Sequence, residues 1–343
     1  MNIFYVSDSE RRKFEGRTQI SSLIKDYLHQ KGYDFVDHPS KADIIHFHSS
    51  GIAASYRAFK LKKKYGVPCI YTLYSIAETN FFSHIKNYLE QKKIAPKFKG
   101  NFLLSSTAAI PIKIRCLFLR KLDRVIVASS YSKNKMPSNT QQINFGVDLS
   151  KFHPKKRKIN QTIKVGFFGH PSSLKGITDY ILASKQFPQN VEPYLFPSRT
   201  TKKLLKYVSK VNSKIIVKGY VEKIDSAYNE MDIIVLPYRT SIGAISNPLV
   251  MLEVMAMGIP IITTNIPSLK EIVKHSALIV KPYSPRSISI AVSYLSKNQD
   301  KMILMGEESR KIVLDNYNVK KMLDNYLRLY EEIEVSKNKK FNI

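Results

Sequence analysis

Hydrophobic residues recur along this chain with the spacings of alternating strands and helices. Short apolar runs predict four strands in the first half, at residues 2–6, 43–47, 67–72 and 124–128. Helical spacing predicts two helices among them, over 17–31 and 52–65. This βαβ succession predicts an α/β fold with a doubly wound parallel sheet.

The pattern restarts at Ile163, after a polar and basic stretch at 155–162 that we interpret as an interdomain linker. Six further strands are predicted near residues 163–168, 191–196, 214–218, 232–236, 260–264 and 277–280. A chain of 343 residues is long enough for two domains, each with its own core. We therefore expect a first domain over 1–155, a second over 156–317, and a last helix and tail over 318–343.

The segment 246–273 places a carboxylate inside an apolar helix that a short strand follows. Pro248 stands where a helix begins, a position that tolerates proline, and Gly258 ends that helix. The free amides of a helix start suit an anion, and Glu253 lies a turn and a half further on. The helix-start amides and the Glu253 carboxylate together fit a nucleotide diphosphate: the amides would bind the phosphates, and the carboxylate would accept a hydrogen bond from a sugar hydroxyl. The alternative is an ordinary α/β helix with a solvated glutamate.

Composition is typical of a globular protein, with 43% hydrophobic and 24% charged residues. Cys69 and Cys116 lack metal-ligand spacing, which favours a reduced, cytoplasmic setting. The sequence has no signal-peptide pattern and no run of about 20 apolar residues, so we expect no membrane-spanning helix.

The net charge of +28 is large and uneven. Residues 51–136 carry 17 Lys and Arg against three acidic residues, a net of +14 in a quarter of the chain. Such a field attracts nucleic acid, anionic lipid or an acidic substrate.

Apolar residues alternate with cations over 102–122, where Lys113 and Arg115 stand, and Lys92 and Lys93 add to the same field. This pattern fits a segment lying in a membrane interface, with its cations toward lipid phosphates. One alternative is that the segment forms a core helix with a basic outer face. Another is that the positive charge serves a polyanionic saccharide acceptor.

The run LEVMAMGIP at 252–260 resembles the "LEAMAxGxPV" signature of the family 4 retaining glycosyltransferases, which have the GT-B fold. Four more segments resemble that family in its own order: INFGVDLSKFHP at 143–154, VGFFG with the following KG over 165–176, VKGYV at 217–221 and MDIIVLP at 231–237. The resemblance implies two Rossmann-like domains facing a cleft, with the C-terminal helix crossing back to the first domain.

The resemblance also implies a set of donor-binding residues. The diphosphate is expected to contact Gly16, Gly169, His170, Lys175, Ser246, Asn247, Pro248 and Leu249. The nucleoside is expected near Tyr220, Val221 and Glu253, with Glu253 on the ribose. His170 stands where the family has an arginine, which leaves Lys175 as the matching cation.

The sequence departs from the family around the transferred sugar. Ile245 stands where the family has its first signature glutamate, and Tyr74 where it has a histidine, so Tyr74 is expected on the acceptor side. His46 and His48 alternate onto one face of a strand, and His48 at the strand end is our catalytic candidate beside Glu253. His46 and His48 could also belong to a metal site, but no third ligand stands near them in the sequence.

These features predict a retaining glycosyltransferase that moves a sugar from a nucleotide-diphosphate donor, with UDP or GDP as the nucleotide. Its acceptor is expected to be lipid-linked or another glycan, as in lipopolysaccharide or N-glycan assembly, at the cytoplasmic face of an anionic membrane. No cofactor and no metal are expected, because no Asp-x-Asp motif follows a strand. The alternatives are a non-catalytic GT-B subunit that binds sugar nucleotide and a polyanion-binding protein; no nucleic-acid-binding motif supports the latter. The sequence leaves the oligomeric state open.

Overall fold

The computed structural model describes residues 1–7, 16–49, 51–74, 76, 81–95, 112–154, 161–241 and 247–341. The chain divides into two compact units. Unit 1 contains Met1–Ile76, Ile110–Gly146 and Asn318–Ile343, and unit 2 contains Ala77–Ala109 and Val147–Tyr317.

Each unit is built around a six-stranded parallel sheet. The strands of unit 1 are β1 (Asn2–Ser7), β2 (Asp34–Phe35), β3 (Ile44–Ser49), β4 (Cys69–Leu73), β5 (Arg124–Val127) and β6 (Thr140–Gln142). Those of unit 2 are β7 (Ile163–Gly169), β8 (Val191–Pro197), β9 (Ile216–Val217), β10 (Ile233–Leu236), β11 (Ile261–Thr264) and β12 (Ala277–Val280).

The α-helices of the described ranges connect these strands. In chain order they are α1 (Gly16–Gln30), α2 (Ile52–Tyr65), α3 (Phe81–Ile94), α4 (Ile112–Arg115), α5 (Ser130–Lys133), α6 (Ile177–Ala183), α7 (Lys202–Val211), α8 (Ile224–Asn229), α9 (Leu249–Ala256), α10 (Pro267–Val273), α11 (Pro285–Lys297), α12 (Gln299–Asn316) and α13 (Val319–Phe341). α1, α2, α4, α5 and α13 belong to unit 1, and the others belong to unit 2.

The sheet of unit 1 has the strand order β2-β1-β3-β4-β5-β6, with every pairing parallel. β3 and β4 are buried on both faces, as expected for central strands covered by helices. One face packs a core that includes Phe47, Tyr71 and Val125. The order reverses between β1 and β3, which places a ligand-binding edge where those two strands end.

The sheet of unit 2 has the order β12-β11-β10-β7-β8-β9, again with every pairing parallel. Counted from β7, this is the 3-2-1-4-5-6 order of a dinucleotide-binding Rossmann sheet. Its reversal lies between β7 and β10. The predicted fold class, two doubly wound parallel-sheet domains of the Rossmann type, is therefore confirmed.

Two short strands and one helix differ from the sequence expectation. The hydrophobic pattern does not predict β2 or β6, because two or three residues are too few for an alternation to show. The predicted first domain, 1–155, contains α3, whereas the structure places α3 in unit 2. There Ile94 joins the core of the second sheet, and Asn87 and Gln91 are buried. Most of the predicted linker, 155–160, lies outside the described residues.

The last helix, α13, packs within unit 1 through a row of tyrosine hydrogen bonds. The Tyr27 hydroxyl donates to Asp324 Oδ1 at 2.6 Å. The hydroxyl of Tyr330 lies 2.6 Å from His46 Nδ1 on β3. These bonds join the end of the chain to the first sheet. Within the described ranges, no helix combines the length and apolar character needed to cross a bilayer.

Candidate functional site

The strongest candidate site lies in unit 2, where β7 and β10 end side by side. Parallel α/β sheets bind ligands at the carboxyl ends of their strands, at the point where the strand order reverses. The loop after β7 carries Gly169, His170 and Lys175, and the loop after β10 leads into α9. Both predicted phosphate-binding segments therefore belong to this one edge.

A tight turn joins the two loops. After β7 the chain forms a 3₁₀ turn at Ser173–Lys175 and then Gly176, whose φ of +75° is left-handed. A Cβ on Gly176 would lie 1.9 Å from the carbonyl oxygen of Pro237, so glycine is required here for space as well as for φ. The amide of Arg239 donates to the Leu174 carbonyl at 3.0 Å, which fixes the turn against the end of β10.

The two cationic candidates of this turn have identified neighbours. The Lys175 ammonium lies 4.9 Å from the ring centroid of Tyr238, which is a cation–π contact. His170 contacts Ser198 at the end of β8 through a hydrogen bond between Nδ1 and Oγ. The structure thus places Lys175 at the β7–β10 edge and His170 toward β8.

The helix α9 begins at this same edge. Its N-cap is Pro248, which supplies no capping side chain. Within the described residues, the amides of Leu249 and Val250 precede the first bond of the helix, which Met251 donates to the Pro248 carbonyl at 3.0 Å. Asn247 and Leu249 are buried beside Pro248, while Ser246 lies outside the described residues. The helix ends at Ala256 with Met257 as its C-cap, and the next residue, Gly258, takes the left-handed φ of +66° expected of a glycine after a helix.

Glu253 is buried within α9 rather than solvated, with only 9% of its surface exposed. The Tyr228 hydroxyl of α8 donates to its Oε2 at 2.8 Å. Burial raises the pKa of Glu253 to about 7, although the Tyr228 hydrogen bond and the charge of Lys151 both oppose that rise. A carboxyl group with this pKa changes charge near neutral pH, which is common at functional sites.

The predicted nucleoside residues follow β9. Tyr220 is half exposed, and Val221 is partly exposed. An exposed aromatic ring after a strand of this sheet can stack on a base. Both residues belong to unit 2, as do Glu253 and Lys175.

The helix α3 supports the Ser173–Lys175 turn. The sequence did not predict this support. Oε1 of Gln91 accepts the Ser173 amide hydrogen at 2.8 Å, and its Nε2 donates to the Pro171 carbonyl at 3.1 Å. The Ser173 hydroxyl donates to the Asn87 carbonyl at 2.8 Å. A single glutamine therefore bonds to the backbone at two points of the candidate phosphate loop.

A buried arginine holds α3 and the loop after β10 together. Arg239 forms a bidentate pair with Asp179 of α6, with both N–O distances 2.6 Å, and its Nη1 lies 2.5 Å from Glu90 of α3. Its guanidinium stacks over the Tyr283 ring at 4.9 Å. Asp179 is the single charged residue of the helix Ile177–Ala183, and this is the signal in the sequence for a buried charged partner.

In unit 1, the candidates lie at the reversal between β1 and β3. Gly16 begins α1, and His48 is buried near the end of β3. Tyr74 is also buried, so it lies inside unit 1 rather than on its surface. The Tyr74 hydroxyl donates to the Arg17 carbonyl at 3.0 Å and lies 3.0 Å from His48 Nδ1.

These contacts assign the tautomer of His48. The single hydroxyl hydrogen of Tyr74 is given to a carbonyl, so Nδ1 of His48 must donate to the Tyr74 oxygen. Burial lowers the pKa of His48 to about 3, which keeps the ring neutral. Its Nε2 is then an acceptor, and in the described ranges it is buried without a hydrogen-bond partner.

His46 differs from His48 in that both of its nitrogens are engaged. Nδ1 lies 2.6 Å from the Tyr330 hydroxyl and Nε2 lies 2.9 Å from Thr72 Oγ1. The described residues contain no group of three His, Cys, Asp or Glu side chains placed to hold a metal ion.

The predicted basic candidates lie on two helices. On α3, Lys92 and Lys93 are exposed together with Phe82 at 82%, Ile85 and Leu89. On α4, Lys113 is exposed, and the Arg115 side chain lies outside the described residues. The outward face of α3 is therefore apolar and cationic at once.

Residues 163–298 match the family described as Glycosyl transferases group 1. The match begins with β7 and ends just after α11, so it spans the second sheet and the candidate donor site. The matched segment therefore lies within unit 2.

Known proteins are similar over nearly the whole chain. The O-antigen biosynthesis glycosyltransferase WclY of Escherichia coli is 22% identical over 349 residues, covering 97% of this chain and 90% of WclY. The structure of Anabaena HepE in complex with UDP-glucose has a TM-score of 0.74 at 15% identity, covering 97% of this chain and all of that one. A glycosyltransferase from Rickettsia africae has a TM-score of 0.70 at 15% identity, with 97% and 98% coverage.

Proposed function

We propose that this protein is a retaining glycosyltransferase that transfers a sugar from a UDP-sugar to a glycan acceptor. The observation that carries the proposal is the buried Glu253 on the helix that begins at the β7–β10 edge, with Lys175 on the neighbouring loop. The Glycosyl transferases group 1 match over this unit supports it, as do the fold of HepE and the O-antigen role in the name of WclY.

The donor would be held by three kinds of group. The first-turn amides of α9 and the Lys175 ammonium would bind the diphosphate, because both favour negative charge. Ionised Glu253 would accept hydrogen bonds from the ribose hydroxyls through Oε1, since Tyr228 already occupies Oε2. Tyr220 would stack on the uracil.

The chemistry proposed is a front-side transfer that needs no metal. The bond between the anomeric carbon and the β-phosphate oxygen breaks, and the acceptor hydroxyl oxygen forms the new bond on the same face. The acceptor proton passes to the leaving phosphate, whose charge the helix amides and Lys175 stabilise.

An anionic membrane surface is the proposed place of action. On α3, Phe82, Ile85 and Leu89 recur at helical spacing with Lys92 and Lys93 beside them, a face suited to a bilayer interface. Co-sedimentation with phosphatidylglycerol vesicles tests this proposal. Leu89→Ser should lower binding, whereas Leu205→Ser should not; Leu205 is an exposed leucine of α7, at 44% against 55% for Leu89.

Release of UDP tests the catalytic proposal. The protein is incubated with UDP-glucose, UDP-galactose or UDP-N-acetylglucosamine and a membrane extract that supplies acceptors, and free UDP is measured. Glu253→Ala should abolish release, and Glu307→Ala, an exposed glutamate of α12, should leave it unchanged. Binding of UDP without release from any of these donors would favour a non-catalytic nucleotide-binding subunit.

A further inference from the structure

The Ser173–Lys175 turn of the candidate site begins at a residue whose side chain does not cap it. This N-cap residue is Ser172, and within the described residues its side chain forms no capping hydrogen bond. The backbone amides at the start of a helical turn have no partner inside the turn, so a group from elsewhere must accept their hydrogens. Because Ser173 is 0% exposed, bulk water does not reach its amide.

Gln91 of α3 supplies the cap from another element. Its Oε1 accepts the Ser173 amide hydrogen at 2.8 Å, which is the bond that an N-cap side chain makes to a first-turn amide. Its Nε2 donates to the Pro171 carbonyl at 3.1 Å, and the side chain is buried. The two bonds fix the backbone on both sides of Ser172.

The position of Gln91 is fixed in turn by the neighbouring residues of α3. Asn87, Glu90 and Gln91 share one face of this helix, at the spacing of residues one turn apart. Asn87 Nδ2 donates to the Tyr283 hydroxyl at 2.8 Å, and the Thr178 hydroxyl donates to Glu90 Oε2 at 2.9 Å. Both partners belong to unit 2, so α3 cannot shift against the turn without breaking these bonds.

The capped turn carries the cation of the candidate donor site. Lys175 is the last residue of the turn, two positions after Ser173. The Arg239 amide holds the middle of the turn through the Leu174 carbonyl at 3.0 Å, and Gln91 holds its beginning. The backbone position from which the Lys175 side chain extends therefore depends on Gln91.

We propose that Gln91 is a positioning residue for the donor diphosphate, because it caps the turn from α3 and so holds Lys175 where its ammonium meets the phosphates. This inference rests on the proposed function, in which Lys175 binds the diphosphate. Gln91 acts on the nucleotide through Lys175 and makes no contact with it. Its contribution to affinity is confined to the diphosphate.

The test is a double-mutant cycle with Gln91→Met and Lys175→Ala, in which calorimetry measures UDP and uridine binding. Methionine keeps the length of the side chain and removes both hydrogen bonds. Gln91→Met should weaken UDP binding by about fivefold, the usual value of one hydrogen bond, and leave uridine binding unchanged. In the Lys175→Ala background the same change should alter UDP affinity by less than about twofold, because two residues that act together are not additive.

Three further measurements separate positioning from a general effect on folding. Gln186→Met makes the same substitution at an exposed glutamine of unit 2 and should leave UDP affinity unchanged. Hydrogen exchange of the Ser173 amide should become faster in Gln91→Met and stay the same in Gln186→Met. Gln91→Glu keeps an acceptor for the Ser173 amide and should lose less UDP affinity than Gln91→Met; it replaces that variant in the cycle if Gln91→Met does not fold.

Three results would overturn the inference while the proposed function stands. They are unchanged UDP affinity in Gln91→Met, a loss of uridine affinity equal to the loss of UDP affinity, and an equal effect of Gln91→Met with and without Lys175. Failure of the wild type to bind UDP would overturn the proposed function itself, and this inference with it.

Discussion

The Tyr228 hydroxyl donates a 2.8 Å hydrogen bond to Oε2 of Glu253, and both side chains are buried. This bond engages Oε2, and in the proposed complex Oε1 would accept the hydrogen bond from the ribose. The charge of Lys151 also lowers the pKa of this carboxyl group, against the larger effect of burial. The charge of Glu253 should therefore control nucleotide binding.

We predict that UDP affinity rises with pH through about 7. Glu253 has a pKa raised to about 7 by burial, so it is protonated below that pH and ionised above it. Ribose hydroxyls donate to the ionised form, so affinity should fall by up to about tenfold for each pH unit below 7. Calorimetry from pH 5.5 to 8.5 measures this, and Glu253→Gln corrects for titration of UDP itself. Parallel curves for the two proteins would contradict the prediction.

Tyr228→Phe should move that pH profile upward. The Tyr228 hydrogen bond lowers the pKa of Glu253, so removing the hydroxyl raises the pH at which the carboxylate forms. The same calorimetric series measures the midpoint. Tyr180→Phe is the matched control, because Tyr180 is buried in the same unit but donates to the carbonyls of Val165 and Tyr194. If Tyr228→Phe lowered the stability of the protein but left the pH midpoint of UDP binding unchanged, the prediction would be contradicted and Tyr228 would only contribute packing.

Gly176→Ala should destabilise the protein more than Gly66→Ala. Both glycines have a left-handed φ, +75° and +68°, but only Gly176 has a backbone oxygen where the Cβ would lie. The strain of a left-handed alanine costs about 1–2 kcal/mol at either position, and the clash with Pro237 adds to it at Gly176. Urea unfolding measures the difference, and Gly176→Ala should also weaken UDP binding. Equal stabilities of the Gly176→Ala and Gly66→Ala variants would contradict the prediction, because the turn at Gly176 would then have shifted to relieve the clash with Pro237.

Lys175→Ala should weaken UDP binding by about tenfold or more, the usual value of a hydrogen bond to a charged group. Uridine, which lacks the diphosphate, should bind both proteins equally. Lys185→Ala removes an exposed lysine of the same unit and should change neither constant. If uridine binding fell with UDP binding, Lys175 would be supporting the loop instead of neutralising the phosphates.

Much of the fold follows from the hydrophobic pattern. The predicted helix over 52–65 coincides with α2, and the predicted strand at 277–280 coincides with β12. The spacing of hydrophobic residues in these two elements reflects which of their own faces is buried, so it can be read from the local sequence. The assignment of α3 to unit 2 depends instead on buried partners such as Asp179 and Arg239, which are 60 residues apart in sequence. Local periodicity carries no information about such pairs.

The candidate site was only partly predictable. Lys175 and Pro248 lie in the turn and at the helix start that sequence motifs mark, and Glu253 lies within the marked helix. The partners that tune them come from elsewhere: Tyr228 from α8 and Gln91 from α3. A single tyrosine or glutamine in a helix gives no sign of which carboxylate or amide it will meet.

Calorimetric titration with UDP, GDP and ADP measures whether Glu253 holds the nucleotide. It is run on the wild type, on Glu253→Ala and on Glu307→Ala, each with magnesium and with a chelator. We expect micromolar binding of UDP that the chelator leaves unchanged, that Glu253→Ala abolishes and that Glu307→Ala retains. Absence of binding by all three nucleotides, or equal UDP binding by Glu253→Ala, would contradict this expectation.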